Sequence, residues 1–106
     1  MSSTLSKLNH IYIGDNIFHL TNMPDNSVDM CVTSPPYYNL RDYKNSGQIG
    51  IENTVQDFVE NLCKVFDEIY RVLKPTGSCW VNIGDTYDKK RLLQVPSRFE
   101  IAMCDR

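Results

Sequence analysis

Ser34-Pro35-Pro36-Tyr37 is the stretch of this chain whose residue types and order suit chemistry. Consecutive prolines fix φ at both positions, hold Ser34 extended, and remove both N–H donors while leaving the carbonyls. The result is a rigid edge that only accepts hydrogen bonds. Ser34 adds a hydroxyl, and Tyr37 adds a flat ring that can stack on a planar molecule while its OH reaches a polar partner. Such an edge suits a planar donor, for instance an exocyclic amino group on a nucleobase. The lone pair of that amine is delocalised into the ring, so it is a poor nucleophile until acceptors hold both protons. A base reaches such a pocket by flipping out of its helix, and Tyr37 would be the pocket floor. No nucleophilic side chain sits where covalent attack on a ring carbon would need it, which disfavours cytosine C5 chemistry.

The elements that must position this loop follow from periodicity. Ser27–Thr33 is β-rich, is entered from the turn-like Pro24-Asp25-Asn26, and runs straight into Ser34. The loop therefore lies at the carboxyl end of a strand, where open α/β sheets place their ligands. His10–Gly14 is a second β-rich run that breaks at Gly14-Asp15, and both runs read as buried strands. Asn16–Asn22 can make a short helix with Ile17, Leu20 and Phe18 facing inward.

From Val55 to Leu73 the apolar residues recur with helical spacing. Thr54 is the expected N-cap with Asp57 following, and Pro75 and Gly77 supply the stop. Ser78–Ile83 reads as a strand ending in Gly84-Asp85, with Trp80 in the core. Asp85 is either a loop cap or a pocket-wall residue. Pro96 opens a last helix through Phe99, Ile101, Ala102 and Met103. Strands alternating with helices imply a three-layer α/β arrangement with a mostly parallel sheet. These elements are too few to cover both faces of such a sheet, and no stop signal follows the last helix. The expectation is an incomplete piece of a larger fold.

Composition bounds the rest. The 106 residues make one small domain, 42% hydrophobic and 23% charged, which excludes a disordered or fibrous chain. The net charge of -2 gives no overall positive field for nucleic acid, so most of any phosphate grip is expected elsewhere. No apolar run approaches the roughly 18 residues of a membrane span, and Met1–Asn9 lacks the pattern of a secretion signal. Cys31, Cys63, Cys79 and Cys104 form no C-x-x-C pair and lie in apolar stretches, so buried thiols in a reducing cytoplasm are expected. His10 and His19 have no neighbours at ligand spacing, so no metal is expected. Lys89-Lys90-Arg91 reads as a solvated loop in preference to a phosphate contact.

The strand followed by T-S-P-P-Y, then R-V-L-K-P-T-G and a Trp-bearing strand, resembles the S-adenosylmethionine-dependent DNA amino-methyltransferases of the β group. These make N4-methylcytosine or N6-methyladenine. I-G-D-N-I and P-D-N-S-V-D-M before the motif, and L-L-Q-V-P-S-R-F-E-I-A-M after it, are similar to the family's order, so the resemblance covers nearly the whole chain. It implies a Rossmann-like methyltransferase fold, present in part. It also implies that Ser34, Pro35, Pro36 and Tyr37 are the catalytic motif. Ser34 and the Pro35 carbonyl would accept from the target amine, and Tyr37 would stack on the flipped base. Asp15 and Ser34 would lie near the cofactor, S-adenosylmethionine. Arg41, Tyr43 and Lys44, just beyond the motif, are the candidates for a loop that closes over double-stranded DNA. Ser34 in place of the Asp of the adenine-directed form leans toward cytosine N4.

One departure matters. The family's Phe-x-Gly-x-Gly loop, which cradles the methionine end of the cofactor, has no counterpart among the five glycines. Residues 1–106 are therefore expected to be the N-terminal, catalytic-motif portion of a single methyltransferase domain, lacking the cofactor loop and the target-recognition region and inactive alone. The alternative is a non-catalytic remnant, or a split-enzyme subunit that pairs with a second chain.

Overall fold

The computed structural model describes residues 9–39, 44 and 47–106. In chain order these form α1 (Asn16–Thr21), β1 (Val28–Thr33), α2 (Val55–Val72), β2 (Leu73–Val81), a short hairpin of β3 (Tyr87–Asp88) and β4 (Arg91–Leu92), and α3 (Val95–Cys104). The architecture is mixed α/β with a short parallel sheet of β1 and β2. The backbone bonds at its ends show the direction: Ser27 N–H donates to Val72 O at 2.8 Å where both strands begin, and Asn82 N–H donates to Thr33 O at 2.9 Å where both end. The chain divides into two compact units, the residues up to Val32 with Val65–Trp80, and Thr33–Lys64 with Val81–Arg106.

In the first unit, Asp15 caps α1, its Oδ1 accepting from Ile17 N–H at 3.0 Å. Arg71, in the last turn of α2, holds the chain that follows α1. Its guanidinium donates to Leu20 O at 2.8 Å, Met23 O at 2.9 Å and Asp25 Oδ1 at 2.6 Å, and pairs with Glu68 at 3.2 Å. A planar fork can serve that many acceptors, whereas a lysine cannot. Its hydrogen bonds to the Asp25 and Glu68 carboxylates raise the guanidinium pKa further. On the sheet, Gly77 is required by close approach: a Cβ there would stand 3.0 Å from both Asp29 O and Lys74 O.

The second unit holds the start of α2, whose N-cap is the expected one, Thr54 Oγ1 accepting from Asp57 N–H at 3.1 Å. Val55, Phe58, Val59, Leu62 and Cys63 are buried along one stripe of the helix. Tyr38, Leu93, Val95 and Phe99 are buried in the same unit.

Several expectations are corrected. His10–Gly14 is no strand: no ladder partner runs beside it among the described residues, and Ile11 and Ile13 are 85% and 91% exposed. A β-rich run needs a neighbour to satisfy its backbone, and here the rings of His10, Tyr12 and His19 pack on one another instead. β1 forms but is not buried, since Met30 and Val32 are exposed. Phe18 and Ile101 also face outward, and Trp80 is 64% exposed, its Nε1 donating to Ser78 Oγ at 3.2 Å. A two-stranded sheet offers too little surface to enclose these side chains. Of the cysteines only Cys63 is buried; Cys31 is half-buried, and Cys79 and Cys104 are exposed. Lys89 and Lys90 are solvent-exposed, as a solvated loop requires, and form the tight turn of the β3–β4 hairpin. No helix among the described residues is long and apolar enough to cross a membrane, and no His, Cys, Asp and Glu group there can hold a metal ion.

Candidate active site

The Ser34–Tyr37 loop begins where the sheet ends. Thr33 is the last residue of β1 with a partner on β2's side, its carbonyl accepting from Asn82 N–H. Pro35 is buried and anchors the turn, whereas Ser34 and Pro36 are exposed and Tyr37 is half-buried. No cis peptide bond occurs among the described residues, so both prolyl bonds are trans. The loop has no N–H at its two proline positions, and one of those prolines is buried.

Tyr37 is seated by two glycines. A Cβ at Gly84 would stand 2.6 Å from Cε2, 3.1 Å from Cζ and 3.2 Å from Cδ2 of the tyrosine ring. Only a residue without a side chain lets the backbone beyond β2 come this close. Gly50 meets the other end of the residue, where a Cβ would lie 3.0 Å from Tyr37 O, and its φ of +118° is one that L side chains rarely adopt.

The next residue locks the loop. Tyr38 is buried against Phe58, ring centroids 5.3 Å apart, and its OH donates to Glu52 O at 3.0 Å. Burial pushes its phenol pKa up, with Asp88, Glu52 and Asp57 adding to the shift. The Glu52 carboxylate accepts from Gly50 N–H at 2.8 Å and Asn61 Nδ2 at 2.9 Å, and Asn39 N–H donates to Gly50 O at 2.6 Å. On the other side Thr86 Oγ1 donates to Tyr38 O at 2.8 Å. Asp85 resolves to a cap: its Oδ1 accepts from Thr86 N–H at 2.8 Å and from Val95 N–H at 3.0 Å, the first amide of α3. That bond replaces the cap Gln94 does not supply, since Gln94 has φ of +61° and no side-chain bond to the helix. Gly84, Gly50, Glu52 and Thr86 were not singled out from the sequence. Of them, Gly84 alone had a visible signal, the Gly-Asp at a strand end.

Arg41 and Tyr43 lie outside the described residues, and Lys44 is exposed with φ of +62°. Asp15 belongs to the first unit, and Ser34–Tyr37 to the second. A Cβ on Gly14 would be 3.1 Å from His19 Nε2, and the Asp15 carboxylate is engaged with the start of α1.

The family model described as DNA methylase, of the N6/N4 type, matches residues 28–105. The chain is 49% identical over 82 residues to the type II methyltransferase M.SfiI of Streptomyces fimbriatus, covering 77% of this chain and 20% of that protein. It is 43% identical over 77 residues to M.SmaI of Serratia marcescens, covering 73% of this chain and 26% of that protein. It is 40% identical over 97 residues to M.MwoI of Methanothermobacter wolfeii, covering 88% of this chain and 14% of that protein. The chain thus spans at most 26% of the length of these relatives. No solved structure matches it.

Proposed function

The chain belongs to the N6/N4 DNA methylase family, and from that premise we propose that it carries the base-binding, catalytic-motif portion of a site-specific DNA amino-methyltransferase with a Rossmann-like domain. The observation that carries this reading is the Tyr37 ring packed against Gly84, in a loop whose Pro35 is buried. The target base flips out of the duplex and stacks on Tyr37. The Ser34 hydroxyl and the Pro35 carbonyl accept the two N–H bonds of its exocyclic amine, which localises the nitrogen lone pair. The gain comes from positioning, with no covalent enzyme intermediate. The methyl donor is S-adenosylmethionine. Ser34 favours cytosine N4 over adenine N6.

A chimera tests the reading. The 82 residues that match M.SfiI are exchanged into that protein, and DNA exposed to the chimera and labelled S-adenosylmethionine is hydrolysed to nucleosides. N4-methylcytosine is the expected product. N6-methyladenine would overturn the choice of base, and a chimera that unfolds cooperatively yet transfers no methyl would overturn the assignment of the motif. A second reading, a subunit completed by a partner chain, is favoured by the apolar residues Met30, Val32 and Trp80 left exposed on β1 and β2. Methyl transfer on mixing this chain with a separate chain that carries the glycine loop would establish it.

A further inference from the structure

We propose that the β3–β4 hairpin is a phosphate-gripping element for duplex DNA, with Lys89 and Lys90 at its tip as the contacts; the proposal rests on the reading of the chain as part of a DNA-acting enzyme. The register Tyr87↔Leu92 and Asp88↔Arg91 leaves Lys89 and Lys90 as the whole of the turn. Their φ values are +50° and +67°. A two-residue turn with both φ positive matches the twist of a hairpin, and its favoured occupants are Asn-Gly and related pairs, because side chains are crowded in that conformation. Two lysines are a poor choice for the turn and a good one for binding an anion. Local strain of this kind concentrates at functional sites.

The charges are also free to act outward. All four hairpin strand residues and both lysines are exposed. Arg91 faces Asp88 across the register, whereas the ion pairs among the described residues use Arg71, Lys74 and Arg106, and none uses Lys89 or Lys90. The chain's net charge of -2 therefore conceals a local cationic tip. The stem is fixed to the motif: Thr86, just before β3, donates to Tyr38 O at 2.8 Å, and its own carbonyl accepts from Leu93 N–H at 3.0 Å, just after β4. A tip held rigidly from the residue that follows Tyr37 can fix where the DNA backbone lies relative to the base pocket. Backbone contacts position a protein on DNA in this way without reading sequence.

The test replaces the turn by the pair it ought to have. The variant Lys89→Asn with Lys90→Gly removes both charges and relaxes the backbone, and Lys89→Arg with Lys90→Arg keeps both charges. Binding of the full chain to a fluorescent duplex is followed by anisotropy across a salt series. The slope of log K against log salt should fall by about 0.9 for each lost phosphate contact, near 1.8 for the Asn-Gly variant, while its unfolding midpoint stays level or rises. The Arg-Arg variant should keep the slope of the parent. An Asn-Gly variant with the parent's slope would overturn the proposal, as would a parent chain that does not bind the duplex. Neither result touches the enzymatic reading, which stands or falls on the methylated nucleoside produced by the chimera.

Discussion

Gly84 lies so close to the Tyr37 ring that no side chain fits between them: a Cβ would stand 2.6 Å from Cε2. The glycine follows β2 and the tyrosine follows β1, so the ends of paired strands fix the ring that the proposed mechanism uses as a floor. Because Gly84 has no positive φ among the glycines that do, its requirement is one of space.

Gly84→Ala should therefore act through Tyr37. Forcing a methyl group into a packed contact costs typically about 1–3 kcal/mol, and chemical denaturation of the chain should show a loss in that range. Tyr37→Ala removes the obstacle, so Gly84→Ala made in the Tyr37→Ala background should cost little. Equal losses in both backgrounds would place the strain elsewhere.

Asp85 should be a fold residue that acts by accepting hydrogen bonds. Replacing it by Ala leaves Val95 N–H and Thr86 N–H without their acceptor, a loss comparable to removal of a helix cap, about 1 kcal/mol. Asp85→Asn retains an acceptor oxygen and should lose less. If the two variants unfold at the same denaturant concentration, the carboxylate and not the bond is what matters.

Alkali should weaken the first unit through Cys79. Partial desolvation of the sulfur, with the Cys31 thiol beside it, pushes the Cys79 pKa up to about 11, against about 8.5 for an ordinary thiol. The unfolded chain then loses its proton first, so the stabilisation is complete below about pH 8.5 and disappears as pH rises toward 11. The same shift keeps the thiolate scarce at neutral pH. Alkylation of Cys79, read by mass spectrometry, should be slow at pH 8 and rise steeply toward pH 11 although the residue is exposed. A half-maximal rate near pH 8.5 would contradict the assignment.

Much of the fold was legible because local signals were strong. The helical stripe from Val55, the Thr54 cap and the Pro96 start all appear within a residue or so of expectation. The strand before Ser34 was legible for the same reason. His10–Gly14 was misread because a β-rich composition says nothing of whether a ladder partner exists. The hairpin was missed because Lys89-Lys90 carries none of the Gly or Asn that normally announces such a turn. The motif itself could be read from Pro-Pro and Tyr, but its support could not. Glu52, Gly50 and Thr86 are ordinary residues in sequence and acquire meaning only from what they touch.

The most direct test of the account is the role of the Tyr37 ring, measured as single-turnover methyl transfer by the chimera with Tyr37→Phe and Tyr37→Ala. Stacking of a base on an aromatic ring contributes about 1–3 kcal/mol, so Tyr37→Ala should slow transfer about ten- to hundredfold. Tyr37→Phe keeps the ring and its seat on Gly84 and should remain within a few-fold of the parent. A Phe variant as slow as the Ala variant would show that the hydroxyl, and not the stacking face, carries the reaction.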